Sequence, residues 1–307
     1  MPGRRAAHIM GTMETDARSV PVIAGCEGAG HDADALAFAG WLAEAWDRPL
    51  LAVLVRPRLR RRAGADIAAD DAAVQADAEH ALADVRAGLP AGASARIVAA
   101  DSPARGLHEA AEAADAAAIV VGSTHRGPVG RVLVGGVGER LLSGAPCAVA
   151  AVPHGFAAMR PPLRTIGVAF DDSPESHGAV ALARPLAERM GARIDLIAVA
   201  DPLESGWPGL SARIDYAMAE LDVAGHLDAA VRGVGACLPP DIRGRQAVLH
   251  GLADEQLELA SGRVDVLVAG SRGYGPLGFV FGASIAKRLM HAAACPVVIL
   301  PRGAAAP

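Results

Sequence analysis

Two glycine-rich stretches of the chain have residue types that could hold a phosphate group. Residues 122–142 read GSTHRGPVGRVLVGGVGERLL, and residues 270–290 read GSRGYGPLGFVFGASIAKRLM. Each stretch follows a short apolar run that predicts a strand, and each ends in a segment that predicts a helix. A glycine loop between a strand and a helix N-terminus presents backbone N–H groups to an anion. Both stretches are therefore candidate nucleotide sites.

The two stretches are copies of one another. They start 148 residues apart, and the same offset relates Gly127 to Gly275 and Cys147 to Cys295. Repetition in a chain of 307 residues predicts two domains of the same fold. We expect these domains at residues 19–153 and 164–302, joined by a linker at 154–163 that has two prolines and no periodicity. Residues 1–18 are expected to be a disordered leader, because they lack the apolar segment of a secretion signal.

The elements that position the loops follow the same order in both halves. In the first half, apolar runs predict strands at 20–26, 50–55, 95–99, 117–121 and 148–152, and helical spacing predicts helices at 34–46, 71–88, 103–114 and 138–143. In the second half the strands are predicted at 165–170, 194–200, 246–249, 264–269 and 296–300, and the helices at 175–190, 211–234, 254–261 and after the loop. Strands that alternate with helices predict parallel sheets covered by helices.

Composition excludes several classes of protein. A net charge of −5 argues against a dedicated nucleic-acid-binding protein, and the basic run at 56–62 is interpreted as a solvated loop. The sequence predicts no membrane span, because no apolar run reaches the roughly 18 residues that one requires. The four cysteines have no CxxC spacing, which favours reduced thiols in a cytoplasmic protein over disulfides or a metal site.

The remaining polar residues favour structural roles. Asp101 and Asp254 precede predicted helices and are interpreted as N-caps, whereas His31 and His250 are interpreted as solvated or structural loop residues. The sequence contains no HExxH motif and no Ser-His-Asp arrangement that we recognise. GSRGYG also lacks the Lys-Ser/Thr ending with which a P-loop grips phosphates and Mg²⁺. Fast phosphoryl transfer is therefore not expected.

Each half resembles a domain of the universal stress protein family, and the resemblance covers nearly all of residues 19–302. The features that carry it are an acidic residue after the first strand and a loop of the form G-x-x-G-(nine residues)-G-[S/T] after the fourth. The resemblance implies an α/β fold of two tandem doubly wound five-stranded domains, of the adenine nucleotide alpha hydrolase-like type. It implies parallel strands in the order 3-2-1-4-5 and a pseudo-dimer that joins 148–152 to 297–300.

The second half keeps most of the family pattern. Asp171 takes the acidic position, Gly270 and Gly273 supply the first two glycines, and Ala283 and Ser284 stand where glycine and a hydroxyl residue are usual. In the family pattern, Ser284 would present its hydroxyl and backbone N–H to a phosphate at the start of a helix. Its structural alternative is an ordinary N-cap. The site that the resemblance implies also includes three neighbouring residues: Ala200, Gly275 and Ile285. We expect an open cleft here.

The first half departs further from the pattern. Glu27 takes the acidic position and Gly122 matches the first glycine, but His125 replaces the second. Gly135 matches the third glycine, and Gly136 replaces the hydroxyl residue. We expect the side chains at 27 and 125 to narrow this cleft.

The resemblance implies a regulatory protein of the stress response that binds ATP, with or without Mg²⁺, mainly in the second domain. One alternative is an interaction scaffold in which both sites are vestigial. The other is a slow ATPase in which Asp171 or His250 places a water molecule. A further homodimer is left open, and the sequence indicates no particular protein partner.

Overall fold

Strands and helices alternate along the whole described part of the chain. The computed structural model describes residues 20–28, 32–59, 67–123, 129–142, 144–159, 162–201, 213–271 and 282–304, with the side chains of 67–69, 213–222 and 282–284 left out. The first half contains β1 (Val22–Cys26), α1 (Ala33–Ala45), β2 (Leu50–Pro57), α2 (Ile67–Ala87), β3 (Ser94–Ala100), α3 (Pro103–Ala114), β4 (Ala118–Gly122), α4 (Gly136–Leu142) and β5 (Ala148–Val152). After α5 (Phe156–Met159), the second half contains β6 (Thr165–Ala169), α6 (Pro174–Met190), β7 (Arg193–Ala200), α7 (Arg213–Cys237), β8 (Arg243–His250), α8 (Ala253–Ser261), β9 (Val266–Gly270), α9 (Gly282–Ala292) and β10 (Val297–Leu300). The predicted elements are all present, with ends displaced by at most four residues.

The strands form one ten-stranded sheet in the order β3-β2-β1-β4-β5-β10-β9-β6-β7-β8. Every pair within a half is parallel, so each half has the predicted order 3-2-1-4-5. Because all five strands of a half run the same way, their carboxyl ends meet at one edge of the sheet. That edge is where open α/β sheets bind ligands.

The two halves join through their last strands, as the resemblance implies. β5 and β10 pair antiparallel, with Val149 opposite Ile299 and Ala151 opposite Val297. These four side chains are fully buried. The pairing satisfies the backbone groups of two strands that would otherwise be exposed sheet edges. The two-domain fold is therefore a pseudo-dimer with one continuous sheet.

Helices cover both faces of the sheet. Along β1, Val22 and Ala24 belong to the core beneath α1, α2, α6 and α7, whereas Ile23 belongs to the core beneath α3, α4, α8 and α9. Strands buried on both faces require continuous apolar sequence rather than alternation. This explains the apolar runs that predicted them.

The predicted linker at 154–163 contains one short helix in its described residues. Phe156 opens the short helix α5 and is 2% exposed, against the rings of Phe38 and Trp41. The carboxylate of Asp34 accepts hydrogen bonds from the backbone N–H groups of Gly155 and Ala157, at 2.8 and 2.7 Å. The segment is thus part of the first domain's core.

Two predicted N-caps are wrong. The cap of α3 is Ser102, whose hydroxyl accepts from the N–H of Arg105 at 3.3 Å, and Asp101 lies one residue earlier. At α8, Asp254 lies inside the helix, and the carboxylate that accepts from the N–H of Ala253, at 2.8 Å, belongs to Asp201 at the end of β7. A cap supplied from another strand leaves no signal in the local sequence.

The interpretation of residues 56–62 as a loop is wrong for its first two residues. Because β2 continues to Pro57, Arg56 lies on the strand, where its guanidinium binds the carboxylate of Asp71 at 2.7 Å.

Among the cysteines, three are buried and Cys237 is exposed, and all four are free thiols, as expected.

Candidate functional site

Each half has a cleft at the carboxyl edge of its sheet. In the first domain the cleft has a volume of about 180 Å³ and lies between the ends of β1 and β4, the start of α1 and the segment that leads into α4. Glu27, Gly122 and Gly135, three residues of the predicted site, line it together. Glu27 is exposed at the mouth.

The segment that leads into α4 is held tightly. Ser123 donates its hydroxyl hydrogen to the carbonyl of Val152 at 2.7 Å and accepts from the N–H of Leu133 at 2.9 Å. At Gly138, a Cβ atom would collide with the side chain of Val134. The glycine therefore lets α4 pack closely against the preceding segment, with both residues in the cleft wall.

A buried carboxylate, which the sequence reasoning did not identify, also lines the first cleft. Asp32 is 7% exposed at the start of α1. Its two oxygens accept the backbone N–H groups of Glu27 at 2.8 Å and Gly28 at 2.9 Å. The first cleft therefore has two carboxylates, and the described residues that line it include no lysine, arginine or histidine.

The second cleft has a volume of about 70 Å³ among the described residues. Three residues of the predicted site line it: Asp171 after β6, Gly270 at the end of β9 and Ile285 in the first turn of α9. Asp171 accepts hydrogen bonds from the backbone N–H of Ser173, at 3.0 Å, and from its hydroxyl. The same hydroxyl oxygen accepts the N–H of Ser176 at 3.2 Å and caps α6. Asp171 is therefore fixed by the first turn of the helix beside it.

Gly270 allows β9 to approach α6. A Cβ atom at this position would lie 2.5 Å from the backbone carbon of Glu175, a distance that side chains do not adopt. The glycine that opens the second loop thus has a packing requirement of its own. Its place in the sequence pattern does not by itself show a ligand contact.

The other predicted site residues lie elsewhere or outside the described part of the chain. Gly136 is the exposed first residue of α4. Ala200 is fully buried, and the β7 residues that line the cleft are its neighbours Ile197 and Val199. Ala283 and Ser284 belong to the first turn of α9, which begins at Gly282, so Ser284 does not precede the helix as an N-cap would. His31, His125, Gly273 and Gly275 lie outside the described residues, as do the side chains of Ala283 and Ser284.

The expected difference between the clefts stays a prediction, because residues that would narrow or complete them lie outside the described part of the chain. The first cleft is the larger, at about 180 Å³ against about 70 Å³. Glu27 stands at its mouth and does not close it. His125, the other residue that was expected to narrow it, lies outside the described part, as does the loop at 272–281.

Two cysteine thiols of the first domain are buried, and one of them, Cys26, lines the first cleft. Burial raises the pKa of the Cys26 thiol, and the negative charge of Asp32 adds to the rise, so this cleft residue stays protonated. Burial likewise raises the pKa of Cys147, to about 12. The described residues include no group of three or more histidines, cysteines or carboxylates that could hold a metal ion. His250 lies exposed at the end of β8 and is absent from the described lining of the second cleft.

Comparison with known proteins agrees with this architecture. A model of the universal stress protein family matches residues 21–153 and again 162–301. The chain belongs to the universal stress protein family. It is a tandem member, with one copy of the family domain in each half of the sheet.

Two similar proteins of known name are universal stress proteins too. A universal stress protein of Mycobacterium tuberculosis (strain H37Rv) is 31% identical over 189 residues, which are 60% of this chain and 62% of that protein. The aligned part thus spans less than two thirds of that relative. One of Mycolicibacterium smegmatis is 50% identical over 51 residues, 16% of this chain and 39% of the relative.

Solved structures share the whole fold at low identity. A universal stress protein from Archaeoglobus fulgidus covers 92% of this chain and 98% of its own, with a TM-score of 0.66 and 19% identity. The structure of a protein from Pseudomonas aeruginosa (UCBPP-PA14), itself described as a putative universal stress protein, covers 93% and 94%, with a TM-score of 0.61 and 16% identity. At such identities these likenesses show the fold alone. In the described part of this chain, no helix is both long and apolar enough to cross a membrane.

Proposed function

We propose that this universal stress protein binds an adenine nucleotide, ATP, in the cleft of its second domain, and that binding regulates the protein. The observation that carries the proposal is the convergence of Asp171, Gly270 and Ile285 on one cleft. The three residues are far apart in the sequence, and the family pattern assigns all of them to one site. The cleft also lies at the edge where open α/β sheets bind ligands.

Different groups of the second cleft would contact the ribose, the base and the phosphates of a nucleotide. A carboxylate such as Asp171 can accept hydrogen bonds from ribose hydroxyls. Val199, Leu257 and Ile285 supply apolar surface for a base. The phosphates would be held by backbone N–H groups of residues 270–284 and by the hydroxyl of Ser284.

A magnesium ion fits this scheme only as part of the nucleotide complex. Asp171 is the one carboxylate among the described residues of the second cleft. Proteins commonly hold Mg²⁺ through one or two carboxylates together with phosphate oxygens and water. Because this scheme assigns Asp171 to the ribose, the described lining leaves no second carboxylate for the ion, and Mg²⁺ would be held by phosphate oxygens and water.

Regulation rather than turnover is supported by what the lining lacks. Phosphoryl transfer depends on cationic groups that stabilise the charge of the transferring phosphate. The described lining of the second cleft has no such group, and the sequence has no P-loop lysine. Bound nucleotide would act by stabilising one conformation over another. This protein would then act in the cytoplasm, in a stress response.

The alternative of an interaction scaffold is supported by the departures from the family pattern at positions 27, 125, 136 and 283. In a scaffold these positions would be free to change, because the clefts would no longer hold a nucleotide. A further homodimer and a specific protein partner remain predictions for either function.

The test is a calorimetric titration with ATP of the full chain and of a Gly273→Asp variant. The variant places a carboxylate in the loop that is proposed to approach a polyanion, and affinity should fall at least tenfold, or about 1.4 kcal/mol. The matched control is Gly262→Asp. Gly262 follows the C-terminal end of α8 and does not line the cleft, and a Cβ atom there would meet only ordinary contacts. Unchanged ATP affinity in folded Gly273→Asp would favour the scaffold. Phosphate release that survives this substitution would indicate contamination rather than ATPase activity.

A further inference from the structure

The sheet ends at strand β3, and two arginines bind the backbone of this strand. Residues 94–99 of β3 are exposed or half-buried. The guanidinium of Arg86 donates to the carbonyl of Ala95 at 3.2 Å, and that of Arg58 donates to the carbonyl of Ala99 at 2.8 Å. Both arginines are exposed, and Arg58 also lies 3.9 Å from the carboxylate of Glu109. An edge strand thus carries two charged donors on its main chain.

The two bound carbonyls face away from the rest of the sheet. The N–H of Arg58, one residue past β2, donates to the carbonyl of Ala100 at 2.9 Å, so that carbonyl faces β2. Backbone groups of successive residues in a strand point to opposite sides, so those of Ala95, Ile97 and Ala99 point to the free edge. The arginines therefore occupy acceptors that a further strand would need.

These acceptors are placed symmetrically about Ile97. Ala95 and Ala99 each lie two residues from it, about 7 Å along the strand. If the β3 of a second copy paired antiparallel about a two-fold axis at Ile97, Ala95 of one copy would lie opposite Ala99 of the other. The two would exchange hydrogen bonds through the carbonyls that now accept from Arg86 and Arg58. Among the described residues, a groove of about 450 Å³ lies between this edge and α2, on the side where the added strand would approach.

We propose that Arg58 and Arg86 prevent β3 from pairing with the β3 of a second copy, and so keep the ten-stranded sheet from continuing across molecules. Hydrogen bonds from a charged donor are about twice as strong as neutral ones, and a second strand would have to displace two of them in each copy to form neutral bonds. Charged side chains at sheet edges commonly oppose such pairing. A homodimer through another surface is compatible with this role, and the role does not depend on nucleotide binding.

The test is the mass of the full chain in solution, measured by analytical ultracentrifugation over a range of concentrations. Arg58→Ala/Arg86→Ala should form assemblies of twice the wild-type mass at concentrations where wild type does not, because one β3 in each chain closes the pair. The matched control is Arg184→Ala/Arg232→Ala, which removes two exposed arginines that pair with carboxylates on α6 and α7. It loses the same charge away from β3 and should keep the wild-type mass.

Two further measurements locate the new contact. Hydrogen exchange followed by mass spectrometry should become slower at residues 94–100 of the alanine variant and stay unchanged at 243–250, the strand β8 at the other edge of the sheet. Addition of Ala99→Pro removes an N–H that the paired strand would use and spares the bonds to β2, because this N–H faces outward. The triple variant should therefore return to the wild-type mass.

Each outcome supports or overturns the inference. A folded alanine variant with the wild-type mass would overturn it, and so would equal association of the control. Association that slows exchange at 243–250 instead, or that survives Ala99→Pro, would assign the contact to another surface and refute the role of β3. If circular dichroism shows that the alanine variant has lost its fold, Arg58→Met/Arg86→Met keeps the aliphatic stems without a donor, and Arg184→Met/Arg232→Met is its control. The same outcomes then decide the question.

Discussion

Replacement of Phe156 by alanine should destabilise the first domain by about 3–5 kcal/mol, the usual cost of removing a buried phenylalanine side chain. The residue is 2% exposed although it lies in the connection between the domains. Its ring packs edge-on against Phe38, with centroids 5.7 Å apart, and against Trp41, with centroids 5.1 Å apart. Each such pair adds about 0.5–1.5 kcal/mol beyond the area that it buries, so we expect the upper part of the range.

The measurement is the free energy of unfolding in urea, with tryptophan fluorescence and circular dichroism as the two signals. Trp41 reports directly on the cluster, because its ring contacts the ring that is removed. If the two domains unfold in separate transitions, the loss should appear in the transition that Trp41 reports. The matched control is Met159→Ala on the same short helix, since that side chain is 54% exposed. The control should change stability by less than about 0.5 kcal/mol.

A loss below about 1 kcal/mol in Phe156→Ala would contradict this reasoning, because it would be far below the cost of removing a buried aromatic side chain. It would mean that α5 contributes little to the core and that the connection acts as an ordinary linker. An equal loss in Met159→Ala would instead point to the helix as a whole rather than to the aromatic cluster.

Two more predictions concern the contact between the domains and the cysteines. Glu139 binds His291 of the second domain at 2.7 Å, and this hydrogen bond lowers the pKa of Glu139. The stabilisation therefore exists above the pKa of the unfolded chain and is lost as the pH falls through the lower folded value. Melting temperatures of wild type and Glu139→Gln should differ at about pH 6 and converge as the pH falls through the lowered pKa of Glu139, and a difference that does not shrink in acid would contradict the pairing. Iodoacetamide should modify only Cys237 in the native protein, because the other three cysteines are buried, and all four after denaturation. Mass spectrometry counts the modified thiols. Rapid labelling of more than one thiol in the native protein would be inconsistent with this burial.

The order of the strands followed from the sequence because the repeat and the family resemblance agree. Strands buried on both faces leave continuous apolar runs, and β5 was predicted with both ends correct. The edge strand β8 was predicted at 246–249 but spans Arg243–His250. Its first residues, Arg243, Gly244 and Arg245, carry no apolar pattern, because an edge strand is only partly covered. Backbone pairing with β7 extends it, and that pairing is not visible in the local sequence.

The site was predictable only as far as it depends on loop spacing. Gly122 ends β4, Glu27 directly follows β1 and Asp171 comes two residues after β6, so the end of the strand fixes their place at the carboxyl edge. Asp32 was missed because a turn separates it from β1, and sequence spacing does not show which residue of a turn faces the cleft. The signal that could have identified it is the alignment of the two first-strand loops, which sets Asp32 opposite Ser176. That comparison shows a change of charge even before burial is known.

The contact between the domains determines how the binding experiments must be read. Val132 and Val134, from the segment beside the first cleft, donate their N–H groups to the carbonyls of Ala293 and Met290 at 2.8 and 3.0 Å. These carbonyls lie at the C-terminal end of α9, whose first turn contributes Ile285 to the second cleft. One helix therefore contacts the walls of both clefts, and a ligand that shifts it would alter the affinity of the other site reciprocally. A change in ATP affinity after Gly273→Asp could then arise in either cleft. The number of ATP molecules bound at saturation is independent of such coupling, which is why the count, and not the dissociation constant alone, decides whether one cleft or both bind the nucleotide.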